Sequence, residues 1–270
     1  MGVNNPAAGS SNRHREQPGA IDLLERAFDI LDVFREGPGQ RLGVTQIAHR
    51  VGLPKSSVHR ILASLVSLEA IERDGHDYQL GMRLFELGEH VPRKRDLREA
   101  ALPFMEDLYE VTHETIHLAV LDGTEVLYIE RIQGHNKYRQ LASRVGGRLP
   151  AHCTGVGKAL LSFNPESVTA LLSRGTLEAR TAYTITSPRV LVEELAKIRQ
   201  RGLATDRDES AIGIHCVATP IILAGKAIAA MSVTGPPQRI DEQRLGSALR
   251  TAGLGLQRTL GATKRQPAQS

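Results

Sequence analysis

Apolar positions fall along the chain in two rhythms. Leu24, Ala27, Phe28, Leu31 and Phe34 have the three- and four-residue spacing of one helix face, which predicts a helix over 21–36. Asp22 is a candidate cap, and Gly37-Pro38-Gly39 is the stop. Val44, Ile47, Ala48 and Val51 repeat that spacing before Gly52, and Val58, Ile61, Leu62 and Leu65 repeat it again after Pro54. Proline suits a helix's first turn, where no N–H is missed. Two short helices about a glycine turn make a helix-turn-helix. The rhythm then shortens: residues 70–80 flank Gly75 as two brief segments, a β-hairpin placed where a wing would lie. Leu84 and Leu87 begin a further helix that Pro92 is expected to interrupt.

Beyond the charged run Arg93-Lys94-Arg95-Asp96 the pattern becomes mixed. A helix is expected over 97–111, with Pro103 near a kink or a start. A hairpin follows from Ile116–Leu121, Asp122-Gly123 and Val126–Ile129. Strands are expected at 137–143, 202–206, 214–221 and 226–234, and helices at 156–163, 166–173, 189–200 and 240–257. No strict strand–helix–strand rhythm holds, so the fold class is α+β. The expected organisation is a disordered tail over 1–19, rich in Gly, Pro, Ser and Asn, then a winged helix-turn-helix DNA-binding domain over 20–81. A linker helix over 82–95, a larger domain over 96–260 and a second disordered tail over 261–270 complete it.

Composition narrows the function. The 270 residues carry 34 Lys+Arg against 30 Asp+Glu, a net charge of +4, with 41% apolar residues. That is ordinary for a globular protein and excludes wholesale disorder. Two cysteines exclude a disulfide framework and a thiolate zinc cluster. No apolar run reaches membrane-spanning length and the first twenty residues are polar, so a cytoplasmic location is expected. Net charge says little about partners, but its distribution says more. Between Gly37 and Leu68 there is no Asp or Glu, while Arg41, Arg50, Lys55 and Arg60 all fall there. A locally positive field is the footprint of a nucleic-acid partner. The face of the second short helix opposite its apolar stripe carries Lys55, Ser56, His59 and Arg60; with Ser57 and Thr45 these are the candidate DNA-binding residues. Arginine can bridge guanine O6 and N7, and hydroxyls suit phosphate oxygens.

Five segments taken together are more specific than any one motif: GLPKSSVHRIL at 52–62, YQLGMRLFELG at 78–88, ETIHLAVLDGTEVLYIERI at 114–132, LASRVGGRLPAHCTGVGKALL at 141–161, and GLATDRDESAIGIHCVATPI at 202–221. In this order and spacing the chain resembles the isocitrate-lyase-regulator (IclR) family of bacterial transcription factors over about residues 21–258. The resemblance implies a GAF/PAS-like effector-binding domain behind the winged helix. It also implies operator binding as a homodimer or homotetramer, and a small organic acid, aromatic or short keto acid, as effector. By that resemblance the effector pocket comprises Thr154, Gly155 and Val156 with their backbone amides, Asp206, Cys216, Ser232 and Thr234. Thr234 departs from the family pattern, where many members have Ser; the hydroxyl is kept and a methyl added. No cofactor, no metal and no catalytic residue are expected.

Four motifs point elsewhere and fail on inspection. His113-Glu114-Thr115-Ile116-His117 matches HExxH, which needs both histidines on one helix face. Here the segment runs into a strand, where positions four apart lie about 13 Å from each other. Gly155-Val156-Gly157-Lys158 resembles a phosphate loop, but His152 and Ala159 stand where Gly and Ser or Thr are required. Lys158 is then expected to face solvent or to pair locally. Asp206-Arg207-Asp208-Glu209-Ser210 opens like a calcium loop, but Ala211 and Val217 occupy its Gly and Glu positions. His152-Cys153 lacks an orienting third group for a nucleophile. The alternatives to a regulator are an enzyme acting on a small organic acid through the C-terminal domain, and a nonspecific DNA-binding protein.

Overall fold

The computed structural model describes residues 18–36, 39–135 and 143–263. The chain divides into two compact units between His90 and Val91. The expected start at 96 falls inside a helix, α5. Residues 1–17 and 264–270 of the expected tails, and 137–142 of an expected strand, lie outside the described residues.

In the front unit α1 (Pro18–Asp32) begins three residues before the periodicity predicted and runs into a 3-10 turn, Val33–Glu36. Asp22 is inside this helix, where it accepts from Arg26 Nε at 2.8 Å, so it does not cap it. The expected apolar face is split. Ala27, Ile30, Leu31 and Phe34 pack into the core, while Leu24 and Phe28 remain 65% and 67% exposed, because they lie on the neighbouring stripe. β1 (Leu42–Gly43), which the pattern did not reveal, leads into α2 (Val44–Val51); Gly43 N donates to Gln46 Oε1 at 2.9 Å. Gly52 closes α2 in the left-handed conformation (φ 67°), which makes the tight turn into α3 (Lys55–Ser67). Val58, Ile61, Leu62 and Leu65 are the buried residues of α3. β2 (Ile71–Asp74) and β3 (Asp77–Leu80) pair antiparallel, and β1 adds to β3, giving a three-stranded wing.

Instead of one linker helix over 82–95 there are two elements, α4 (Met82–Glu89) and α5 (Pro92–Thr112). Pro92 opens α5 rather than interrupting a helix, because a first-turn residue needs no N–H and proline's fixed φ suits it. Pro103 sits inside α5.

The larger unit is built on one antiparallel sheet in the order β6-β5-β4-β9-β8-β7. Its strands are β4 (Thr115–Asp122), β5 (Glu125–Ile132), β6 (Arg148–Pro150), β7 (Ala204–Arg207), β8 (His215–Leu223) and β9 (Lys226–Gly235). α6 (Gly155–Leu161), α7 (Pro165–Leu172), α8 (Pro188–Arg201) and α9 (Glu242–Thr263) complete it. α9 reaches three residues past the expected boundary at 260.

Side chains alternate across the sheet. Ile116, Leu118, Val217, Met231 and Val233 point to one face and pack with Met105 of α5 and with Leu249 and Leu256 of α9. Ala119, Tyr128, Cys216, Ala218 and Ala230 point to the other, under α6 and α8. The class is α+β, with a winged helix-turn-helix ahead of a sheet covered by helices on both faces.

Candidate functional site

α3 buries its apolar stripe and thereby turns Lys55, Ser56, His59 and Arg60 to solvent; Ser57 is half-buried and Thr45, near the start of α2, is exposed. Among the described residues none of these side chains makes an ion pair or hydrogen bond. The other cations of the acid-free stretch are engaged. Arg41 pairs with Asp74 of the wing at 2.5 Å, and Arg50 donates to the Val33 carbonyl at 3.2 Å. The positive field therefore narrows to Lys55 and Arg60 on one helix face. At the wing tip Arg73 Nε bonds the Gly75 carbonyl at 3.0 Å, which shapes the turn.

In the larger unit the helix-covered face under α6 holds a cavity of about 100 Å³. Strand register explains its composition. Asp206 stands opposite Cys216, and Cys216 opposite Thr234, forming one row across β7, β8 and β9. One step along, Ser232 lies between Ala218 and His117 on its two neighbouring strands. Residues more than a hundred positions apart thus become lateral neighbours. The opposite wall is Thr154, Gly155 and Val156. The Thr154 hydroxyl accepts from Gly157 N at 3.1 Å and caps α6, leaving the first two amides of the helix without an intrahelical acceptor. Gly155 is required by close approach: a Cβ there would lie 2.7 Å from Cys216 Sγ. All seven residues that the resemblance assigned to a pocket line this one cavity.

His117, Tyr128, Ser143, Arg180 and Ser210 also line it, and the sequence had not marked them as pocket residues. His117 is buried on β4. Its Nε2 lies 2.7 Å from Ser143 Oγ and its Nδ1 3.2 Å from Thr234 Oγ1. Burial, reinforced by the charge of Arg131, lowers its pKa to about 3, so the ring is neutral and one nitrogen donates while the other accepts. His113, its partner in the HExxH pattern, instead ends α5 as a left-handed cap. A polar His117 inside the apolar strand IHLAVL was the readable signal; Arg180, in an aperiodic loop, offered none.

Two loops are stitched together above the cavity. Asp206 folds back on its own loop: Oδ1 accepts from Glu209 N at 2.8 Å and Ser210 N at 3.3 Å, and Oδ2 from Ser210 Oγ at 2.5 Å. Burial raises its pKa to about 6, against the lowering effect of the Ser210 bond. Lys158 does not face solvent. It is 1% exposed on α6 and donates to Glu209 Oε1, because the loop after β7 brings an acid to its buried end. Burial still raises Glu209's pKa, outweighing the attraction of Lys158. Thr181 and Thr184 donate to the Asp208 and Glu209 carbonyls, each at 2.7 Å, and tie the α7–α8 loop to the β7–β8 loop. The acids of the calcium-like segment are thus committed internally; Asp208 holds Gly213 N and His215. Burial pushes both thiols, Cys153 and Cys216, up to about 12, so each stays protonated.

The family model described as "Bacterial transcriptional regulator IclR C-terminal" matches residues 89–257, and the "IclR helix-turn-helix domain" matches 23–75. The chain belongs to the IclR family. Like its curated relatives this IclR-family protein is a transcriptional regulator. It is 38% identical to the HTH-type transcriptional regulator BhcR of Paracoccus denitrificans, over 86% of this chain and 84% of that one. It is 34% identical to the transcriptional repressor IclR of Escherichia coli, over 84% of each. Among solved structures, an IclR homologue from Microbacterium hydrocarbonoxydans in complex with 4-hydroxybenzoate superposes with a TM-score of 0.80 at 33% identity, covering 89% of this chain and 99% of that one. The IclR of Thermotoga maritima gives 0.73 at 32%, with the same coverage. No described helix of the IclR-family chain is long and apolar enough to cross a membrane.

Proposed function

We propose that this regulator reads an operator with Thr45, Lys55, Ser56, Ser57, His59 and Arg60, and that a small organic acid held among Thr154, Gly155, Val156, Asp206, Cys216, Ser232 and Thr234 alters that binding. The observation that carries the reading is the convergence of those seven residues on one small cavity in the unit behind the helix-turn-helix. Its scale compares with the apolar cavity of about 150 Å³ known to take up benzene, so it suits a single ring or a short-chain acid. The 4-hydroxybenzoate complex of the Microbacterium homologue supports the same class.

The cavity chemistry favours binding over turnover. Its thiol is protonated, and its imidazole is neutral with both nitrogens engaged, so no nucleophile is paired with a base. Leu24 and Phe28 on α1, and Met82, Phe85 and Leu87 on α4, are exposed, which supports a homodimer or homotetramer; reading chromosomal DNA would place it in the cytoplasm. Fluorescence anisotropy on the DNA upstream of the gene, against a scrambled duplex at two salt concentrations, tests the reading. A preference for the upstream duplex that one of a panel of small acids changes is the expected result. Equal affinity for both duplexes, tracking salt alone and unmoved by every acid, sinks it.

A further inference from the structure

The polar groups lining the cavity are mostly neutral. His117, Tyr128, Ser143, Thr154, Ser210, Ser232 and Thr234 offer hydroxyls and an uncharged ring. Two lining residues bear charge, Asp206 and Arg180. The oxygens of Asp206 are held by Glu209 N, Ser210 N and Ser210 Oγ. Lys158 and Glu209, deeper in, neutralise each other. Arg131, the other cation near this site, does not line the cavity; it donates to the Ser143 carbonyl at 2.8 Å.

Arg180 is different. Among the described residues its guanidinium makes no hydrogen bond, and its one ion partner, Glu178, is 4.0 Å away and 69% exposed. So long and wet a pair contributes little. The backbone beneath is fixed: Arg180 N and Thr181 N donate to Thr184 Oγ1 at 3.1 and 3.0 Å, and Thr184 is tied in turn to Glu209. A rigid backbone carries an uncommitted, planar, five-donor cation to the rim of a cavity otherwise lined by neutral groups and by Asp206, whose oxygens are held by its own loop.

Resting on the effector reading above, we propose that Arg180 is the ligand's counter-ion, which commits this cavity to carboxylates. The guanidinium accepts the carboxylate in a forked pair, the geometry for which arginine is preorganised. Ser232 and Thr234, presented from the sheet and Thr234 held by His117, take a hydroxyl or carbonyl of the same ligand. Apolar walls from Leu149, Val156 and Ile214 set its size.

Calorimetry on the full chain tests this with benzoate, 4-hydroxybenzoate, pyruvate and glyoxylate, each beside its neutral amide. Wild type is expected to bind its preferred acid at least about tenfold tighter than the amide, the scale of a hydrogen bond to a charged group. Arg180→Gln removes that preference and leaves amide affinity unchanged, while Arg180→Lys keeps part of it. Both variants are expected to melt with wild type, because a side chain one-third exposed with no hydrogen bond leaves no partner stranded. An acid preference undiminished in Arg180→Gln overturns the counter-ion and leaves the effector reading standing. If no acid of the panel binds wild type, the effector class falls and the counter-ion with it.

Discussion

Asp206 occupies an uneasy position, a buried carboxylate in a site proposed for anions. Its charge is tolerated because three donors from its own loop hold it, yet burial still raises its pKa to about 6. The raised value has two consequences of defined sign. The folded state is favoured by protonation, so Asp206 costs stability as pH rises from about 4 through 6. An anionic ligand is repelled by the ionised form, so its affinity increases as pH falls from about 7.5 to 5.5 while the ligand stays charged. Glu209, itself raised by burial, and Lys158 face Asp206; the charge of Glu209 pushes the Asp206 pKa up and the ammonium pulls it down. Asp206→Asn separates the contributions. The amide oxygen accepts from the same backbone donors, acid binding at pH 7.5 tightens about tenfold for one charge removed nearby, and titration calorimetry across pH shows a flatter profile. An unchanged profile would assign the dependence to Glu209. Lys158 makes the complementary case. Lys158→Ala leaves Glu209 buried without a cation, and urea unfolding should report a loss of about 3–5 kcal/mol. Replacing both, as Lys158→Met with Glu209→Gln, should recover most of it.

At the scale of elements, α3, the helix proposed to read DNA, was the most legible part of the sequence. The periodicity of Val58, Ile61, Leu62 and Leu65 fixes which side of α3 is buried and so which side faces out. Arg60→Ala is accordingly expected to lower operator affinity by about 1–3 kcal/mol without lowering the melting temperature, measured by anisotropy and thermal denaturation. Lys55→Ala is expected to weaken all duplexes alike and to reduce the salt slope by about one. Most helices and strands of the larger unit were legible from their apolar runs and stripes, but the three-residue β6 was not foreseen, and the strand expected at 137–143 lies almost wholly outside the described residues. Three further features were not legible. The two-residue β1 is too short to show a period. Pro92 was read as a stop, although the same ring opens a helix as readily as it ends one. Lys158 was expected to face solvent or to pair locally because its partner Glu209 is 51 residues away, beyond any local pattern. The cavity residues were placed by resemblance; that they meet follows from antiparallel register, which a single strand's sequence does not specify.

At the scale of the molecule, six large apolar side chains on the described α1 and α4 (Leu23, Leu24, Phe28, Met82, Phe85 and Leu87) stay exposed although the front unit has its own core. Two copies of such a unit would present paired recognition helices, and a palindromic operator with half-sites about 34 Å apart, or a multiple, is the geometric corollary. Phe28→Asp should shift sedimentation toward smaller species and reduce operator affinity while leaving acid binding intact. Sedimentation identical to wild type would remove α1 from the assembly surface.

The two sides of the cavity differ in how freely they can change. Asp206, Cys216, Ser232, Thr234 and His117 are locked by pairing, where a one-residue slip reverses every side chain on the strand. The segment from 174 to 187 obeys no such rule; it is fastened through Thr181 and Thr184, through the Glu178 carbonyl 2.9 Å from His152 Nε2, and through Leu177, which is buried in the core, but it pairs with no strand. Ligand range in a protein built this way is modular. Grafting a relative's version of that segment, with the two threonines kept, should exchange appetite for one acid against another while the reading head goes on recognising the same DNA.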